Sequence, residues 1–455
     1  MWVSIFSLCC VAVAPMAIEL YRKQFDWLDL KNVFVLFFVL QFGMWPVLVY
    51  MLGYTSTFGL PITFLDSRYN EFLRGEVYAI VGLGCFFLGR YIPLGTPQRC
   101  GIQSVQNGAT TADGFPILFL STLMVGAGIL GFLGLTAAGG GFFEFVSHID
   151  EFRTTSLLGV GYLIFLIVVA QLGALALILF YFAFGRYKVL SHIALLGVLA
   201  LSVLGGVRHV ALSAIGGYLV ARHFLYKPIR INVSLLFIGV IFFALNIFYP
   251  LYRGLGPEVF EYASHIENLT DVDWMVVAYA LLGRFHGAET IARVIDITGA
   301  DGFQHGRLFF AELFTGVIPR ILWPAKPESS GMVANTTFFY EIFSGGETGS
   351  AVITLLGELY WIWGLPAIVL GMFCLGVIFR GLYEGVQGQN RDIEKVGLYS
   401  IGLTFGLFVN ESLSLHLFHF LFKVVVWVGL FGTVKIFSRP VVQQPELKSS
   451  HSRVM

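Results

Sequence analysis

Ser156–Phe184 reads SLLGVGYLIFLIVVAQLGALALILFYFAF, without one charged side chain. A helix needs about 20 consecutive apolar residues to cross the hydrocarbon core of a bilayer, and this run exceeds that length. Comparable runs fall near 2–20, 33–54, 77–95, 115–137, 188–205, 209–225, 231–251, 350–379, 396–410 and 413–437, so the reading predicts eleven spans. The expected fold class is an all-α polytopic integral membrane protein.

Composition points the same way. Hydrophobic residues make up 57% of the 455 residues, aromatics 16% and charged residues 12%. A water-soluble domain has no surface on which to place such a mixture. The 28 basic and 28 acidic residues cancel, which gives no reason to expect a nucleic-acid partner and moves the charge argument to position. Cys9, Cys10, Cys85 and Cys374 lie in apolar runs and Cys100 in a short basic loop. With no CxxC and no His-rich ligand spacing, neither disulfides nor a metal site are expected. The N-terminal run MWVSIFSLCCVAVAPMAIELYRK carries its positive charges after the apolar stretch, the reverse of a secretory signal, and reads as a retained first span.

Lys and Arg residues alternate between the loops. Arg22, Lys23 and Lys31 follow the first run, Arg90 and Arg99 the third, Arg186 and Lys188 the fifth, Arg222, Lys227 and Arg230 the seventh, and Arg380, Arg391 and Lys395 the ninth. Lys435, Arg439, Lys448 and Arg453 continue the pattern. By the positive-inside rule this puts the N-terminus outside and the C-terminal tail in the cytoplasm. The predicted organisation is an N-terminal bundle of eight spans over 1–251, a large extracytoplasmic loop over 252–349, C-terminal spans over 350–437 and a polar tail over 438–455. Loops as long as 252–349 are uncommon without a function. Within it, DWMVVAYALLGRFHGAETIARVID has helical periodicity, and RLFFAELFTGVIPRILWP reads as an amphipathic or re-entrant helix stopped by Pro324, so a cap of short helices is expected.

Charges at membrane depth or at its edge are candidates for function. Arg208 follows two glycines in a tight turn, Arg253 lies just beyond the eighth run, Arg284 and His286 share a predicted helix with Glu289, and Arg320 and Lys326 lie among the prolines of GVIPRILWPAKPESSGMVANTTFF, Gly316–Phe339. Guanidinium forks grip phosphate bidentately and stay charged, so Arg208, Arg253, Arg284, Arg320 and Lys326 are candidate phosphate or pyrophosphate ligands. His286, whose ordinary pKa is nearest neutrality, is a candidate base with Glu289 to orient it, and Glu358 and Glu411 are the alternatives. Glu358 falls inside an apolar run and is expected to find a cation or a hydrogen-bond donor, with Arg208 or Arg320 favoured. His416 and His419 read as satisfied core histidines, and the middles of the spans read as mostly free of charge. Tyr360, Trp361 and Trp363 flank the region and are the ring type on which sugars stack.

The order of these elements resembles the Wzy-type oligosaccharide repeat-unit polymerases of bacterial surface polysaccharides. The likeness rests on GGVRH, IPRILWPAKP, Asn335 with aromatics after it, the Gly357–Glu358 pair entering the next span, and VNESL with Glu411; it covers the C-terminal 250 residues or so. It implies a glycosyltransferase of the bacterial inner membrane, with its site facing the periplasm. Such an enzyme moves a growing glycan from its undecaprenyl pyrophosphate carrier onto the next lipid-linked repeat. The donor is already activated, so no nucleotide or other cofactor is implied. Positioned arginines can stabilise the leaving pyrophosphate without a metal. Membrane lipid and a polysaccharide chain-length regulator are further candidate partners. The competing readings are an O-antigen ligase using the same donor and a lipid-linked oligosaccharide flippase or transporter.

Overall fold

The computed structural model describes residues 2–23, 25–44, 69–92, 114–147, 162–229, 287–307, 309, 323, 353–387 and 392–437. Among these residues every regular element is a helix. The chain runs α1 (Trp2–Tyr21), α2 (Leu30–Val39) continued by a π-helical turn π1 (Leu40–Met44), α3 (Tyr69–Tyr91), α4 (Gly114–Ala138), α5 (Phe142–Ser147), α6 (Tyr162–Phe184), α7 (Lys188–Leu204) and α8 (Arg208–Ala221) with a second π turn π2 (Arg222–Tyr226). It continues with α9 (Gly287–Asp301), α10 (Leu355–Trp363), α11 (Leu365–Gln387), α12 (Ile393–Phe408) and α13 (Leu413–Phe437). The predicted span at 231–251, Arg253, Arg284, His286, Arg320, Lys326, most of the Gly316–Phe339 stretch and the tail after 437 lie outside the described residues.

Five described helices are long and apolar enough to cross a membrane: α3, α4, α6, α11 and Leu413–Lys435 of α13. Shorter apolar helices cover Phe6–Tyr21, Leu30–Gly43 and Lys188–Leu204. This is the build of a multi-pass helical membrane protein, and eleven full-length spans are not what the described residues contain. Two of the predicted runs differ for physical reasons. The 350–379 run is broken at Gly364, whose φ of +70° suits glycine and ends α10 before α11 begins. The run at 209–225 is a 14-residue α-helix with a π turn, which at 1.5 Å per residue spans only about 21 Å before the turn.

Glycines set how closely the helices pack. In the α3–α11 crossing a Cβ on Gly89 would sit 2.1 Å from the Phe373 carbonyl oxygen, and one on Gly376 would sit 2.1 Å from the Phe86 oxygen. Each backbone therefore lies where the other's side chain would be, the small-residue packing that replaces hydrophobic driving force in lipid. The α4–α6 contact is built in the same way, with Gly128 against Ala170 and Gly173 against the Ser121 oxygen. The larger core gathers α1, α2, α3 and α9–α13 with parts of α4, α6 and α8 around Phe34, Phe38, Phe86, Phe379, Tyr399 and Trp427; a smaller one joins α4–α8.

The basic loops gather at one end of the bundle. There the α1–α2 connection is stapled by Asp29 to Arg90 at 3.2 Å and to Lys31 at 3.5 Å, while Lys31 also pairs with Glu19. Asp26 accepts from Tyr383 at 2.9 Å and lies 3.6 Å from His223 Nε2. Burial opposes ionisation of Asp26, but the His223 hydrogen bond, the Leu28 N–H and Tyr383 outweigh it and hold the carboxyl below its usual range.

Candidate functional site

At the opposite end, the α12–α13 turn is the piece to which the other elements attach. Thr354 precedes α10 with a φ of 68°, a region that costs a β-branched residue about 1–3 kcal/mol. Three contacts hold it there: its N–H donates to the Glu411 carbonyl at 3.0 Å, the next N–H, of Leu355, donates to the Asn410 carbonyl at 3.2 Å, and its hydroxyl accepts from Gly357 N–H at 3.4 Å as the N-cap of α10. Asn410 in turn donates to the Phe34 carbonyl of α2 at 3.4 Å.

Thr354 starts α10, and one turn on Glu358 is directed at the same loop. Its carboxylate is 3% exposed and accepts from the Ser412 hydroxyl at 2.6 Å, from Ser414 N–H at 2.7 Å and from the Ser414 hydroxyl at 3.1 Å. The sequence reading expected a cation or a hydrogen-bond donor and favoured Arg208 or Arg320; among the described residues the hydrogen-bond partners are two serines and a backbone amide. A carboxylate so enclosed works as a clamp that fixes α10 on the α12–α13 turn. Ser412 and Ser414 were not singled out from the sequence, although the SLS that follows Glu411 places two hydroxyls two residues apart at the start of a helix, a spacing that serves a buried acceptor.

The same turn meets α8 on its other side. Arg208 is the first residue of α8, so the predicted GGVRH turn does deliver an arginine backbone to this end. The neighbouring His209 ring lies 6.5 Å from Phe408 and 5.0 Å from His419, and His416 stacks on Phe408 at 5.6 Å. The bundle thus brings the start of α8, Glu358 and Glu411 around one short loop.

Glu289 sits on α9, which packs against α3, α10 and π1 with Gly287–Val294 buried throughout. Its partner is Arg293, one turn on along the same helix, in an ion pair with both side chains at or below 1% exposure. Burial works to lower the guanidinium pKa and the Glu289 carboxylate opposes it. Glu289 is therefore engaged by Arg293, which the sequence reading did not include, although the i,i+4 spacing was there to be seen. Gly287 allows this docking, since a Cβ there would meet Gln41 Cγ at 2.6 Å. Val294 approaches Gly357, so α9 and α10 meet beside the clamp.

The aromatics divide. Trp361 is buried, whereas Trp363 is 57% exposed and its indole N–H donates to His305 Nδ1 at 3.1 Å. Phe303 packs edge-on against Tyr360, which stacks on Tyr78 at 5.4 Å.

Two further findings depart from expectation. The interior of the helices is not free of charge: Glu76 in α3 is 1% exposed, and Lys423 in α13 is 2% exposed with its ammonium 3.3 Å from Ser213 Oγ. His419 is buried as a core residue, yet among the described residues its Nδ1 has no hydrogen-bond partner.

Residues 295–431 match one family model, the domain of unknown function DUF8712. The matched segment begins within α9 and ends within α13, so it contains α10, the Glu358 clamp and the turn it holds. No curated protein and no solved structure matches the chain.

Proposed function

We propose that the protein polymerises undecaprenyl-pyrophosphate-linked oligosaccharide repeats at the periplasmic face of the bacterial inner membrane. The growing glycan passes from its carrier to the non-reducing end of the next lipid-linked repeat. Arg208, with Arg253, Arg284, Arg320 and Lys326, grips the pyrophosphates and offsets the charge that develops as the leaving group departs.

What supports this reading most is the assembly around the α12–α13 turn. Elements far apart in the chain, the start of α8, Thr354 to Glu358, and Asn410 to Ser414, are fixed against one another by named hydrogen bonds and ring contacts. A glycosyl-transfer site with a departing pyrophosphate needs donors held in place before the charge appears. In this reading Glu358 is the support of that site rather than its base, and His286 and Glu411 remain the candidates for receiving the acceptor proton.

One observation favours a flippase instead, namely the buried ionisable groups Glu76 and Lys423 within the helices. A single experiment addresses both. The purified protein in nanodiscs is incubated with the lipid-linked repeat of its host, without nucleotide, and the products are resolved on a gel. A ladder of multiples with release of undecaprenyl pyrophosphate supports polymerisation. Unchanged repeat in nanodiscs, with transbilayer movement of the same repeat in liposomes, overturns it in favour of the flippase.

A further inference from the structure

The corner between α10 and α11 meets the loop that follows α9. α11 runs to the basic end, where Tyr383 meets Asp26, so its first residue, Leu365, and Trp363 just before it lie at the other end. A helix rises about 1.5 Å per residue, which puts Trp363 about 8 Å along α10 from the Glu358 clamp. Residues 302–307 are tied to this corner. Gln304 N–H donates to the Trp361 carbonyl at 2.9 Å, and Arg307 N–H donates to the Gln304 carbonyl at 2.9 Å. Phe303 lies over Gly364, where a Cβ would stand 3.0 Å from the Phe303 Cζ.

Left-handed backbone shapes both sides of the corner. Gly302, Gly306 and Gly364 take φ of 81°, 74° and 70°, as glycine does freely, while His305 takes 50°. Histidine is among the side chains that tolerate this region, and the position has a use: Trp363 N–H donates to His305 Nδ1 at 3.1 Å. An indole N–H only donates, so Nδ1 is the unprotonated nitrogen and neutral His305 carries its proton on Nε2. The result is an indole held by its own N–H beside an imidazole with an N–H to offer. Both side chains are exposed, Trp363 at 57%. Phe303, 41% exposed, extends this surface and packs edge-on against Tyr360, which stacks on Tyr78.

The N–H pairing argues against a membrane anchor. A tryptophan of the interfacial belt turns its polar edge toward the headgroups. Trp363 gives its N–H to a residue of another segment, so the protein rather than a bilayer sets the plane of the ring. A fixed, exposed aromatic face with an N–H donor beside it matches a pyranose, whose C–H face stacks on the indole while a hydroxyl accepts from the imidazole. A ring already held in place loses little conformational freedom when it is covered.

We propose that Trp363, His305 and Phe303 form a saccharide-binding subsite at the α10–α11 corner. That its saccharide belongs to the glycan of the lipid-linked repeat rests on the polymerase reading. In that reading the corner holds a sugar residue while the arginines hold the carrier pyrophosphate.

The test is binding without chemistry. The oligosaccharide released by mild acid from the lipid-linked repeat of the host, free of lipid and pyrophosphate, is titrated into the full chain in nanodiscs and followed by saturation-transfer NMR. Transfer from the protein to sugar C–H protons is expected in the wild type. Trp363→Ala is expected to weaken binding by about 30-fold, the size of losing one anchoring aromatic. His305→Asn, which keeps a residue suited to left-handed backbone, is expected to weaken it by about 5-fold. Trp363→Phe retains a ring and is expected to fall between the wild type and Trp363→Ala, with unfolding midpoints unchanged in all three variants. No transfer in the wild type, or equal affinity in every variant, overturns the subsite. Equal affinity, with brominated phospholipid quenching wild-type fluorescence more than that of Trp363→Phe, identifies a membrane anchor and also overturns it. In the polymerisation assay Trp363→Ala is expected to raise KM for the lipid-linked repeat with little change in kcat. A wild type that binds the free oligosaccharide through Trp363 but makes no polymer leaves the subsite standing and overturns the polymerase reading.

Discussion

Replacing Glu358 separates a structural clamp from a catalytic base. Its carboxylate accepts hydrogen bonds of 2.6, 2.7 and 3.1 Å from Ser412 and Ser414. Hydrogen bonds to a charged group contribute about 1.5–3 kcal/mol each. These three share one buried carboxylate whose desolvation opposes them, so their sum is an upper bound. Removing one side of a buried charged network costs about 3–5 kcal/mol, and that is the expected loss for Glu358→Ala, which takes the carboxylate away from the Ser414 N–H. At about 2–4 °C per kcal/mol for larger domains, the unfolding midpoint falls by about 6–20 °C. Glu358→Gln behaves differently. Its amide oxygen can keep Ser414 N–H while its nitrogen faces the two hydroxyls, which rotate to accept, so the loss is only about 1 kcal/mol. The assay is thermal unfolding in detergent with polymerisation measured beside it. A Glu358→Gln variant that is as stable as the wild type but 100-fold or more less active would refute the clamp and restore Glu358 as the base. Equal destabilisation by Gln and Ala would refute the hydrogen-bond account itself.

Three other perturbations have definite expected outcomes. Gly376→Leu drives a side chain into the Phe86 carbonyl and is expected to lose about 3 kcal/mol or more, whereas Gly381→Ala, with nothing within 4 Å of its new Cβ, is tolerated; similar stabilities for the two would contradict the close α3–α11 crossing. Arg293→Met leaves Glu289 buried without its cation at a loss of about 3–5 kcal/mol, and adding Glu289→Leu restores most of it; a double variant no better than the single one would show that the pair is not an isolated unit. The Asp26 carboxyl titrates below its usual value in the folded protein, so its stabilisation is complete above the ordinary aspartate pKa of about 3.9 and is lost as pH falls through the lower folded value. Asp26→Asn should therefore reduce stability at neutral pH and flatten the acid limb of unfolding midpoint against pH, and an unaltered limb would remove Asp26 from the network.

The helical membrane character was legible because bilayer thickness imposes a length that composition reveals residue by residue. α1, α4, α7 and α13 begin and end close to where their apolar runs do. α3 begins earlier than its run, because Glu71, Arg74 and Glu76 interrupt the hydropathy but not the helix. The break at Gly364 could not be read, since glycine within an apolar run is as compatible with close helix packing as with a left-handed stop. α9 reads as part of a cap because it lies in the long segment between apolar runs. Glu289 and Arg293 pair at i,i+4, which lets the first half of the helix, Gly287–Val294, be buried. In the site, hydropathy marked Glu358 as needing a partner but could not supply one, because Ser412 and Ser414 stand more than 50 residues away and look like ordinary turn residues. His416, His419 and Lys423 did carry a signal, their shared helical face, which becomes meaningful once α8 is known to lie against it.

The clamp has a consequence for how the protein is made. α10 leaves the ribosome before α12 and α13, yet among the described residues the hydrogen-bond partners of Glu358 and the two carbonyls that hold Thr354 and Leu355 lie between Asn410 and Ser414. During synthesis the Glu358 carboxylate and the Thr354 and Leu355 amides therefore wait for partners that α10 itself does not supply. The α12–α13 hairpin completes them. Until it inserts, α10 has little reason to stay docked, and a nascent chain stalled after α12 would present an open end that quality-control proteases can grip. Maturation of the site therefore waits for α12 and α13, which follow α10 in the chain.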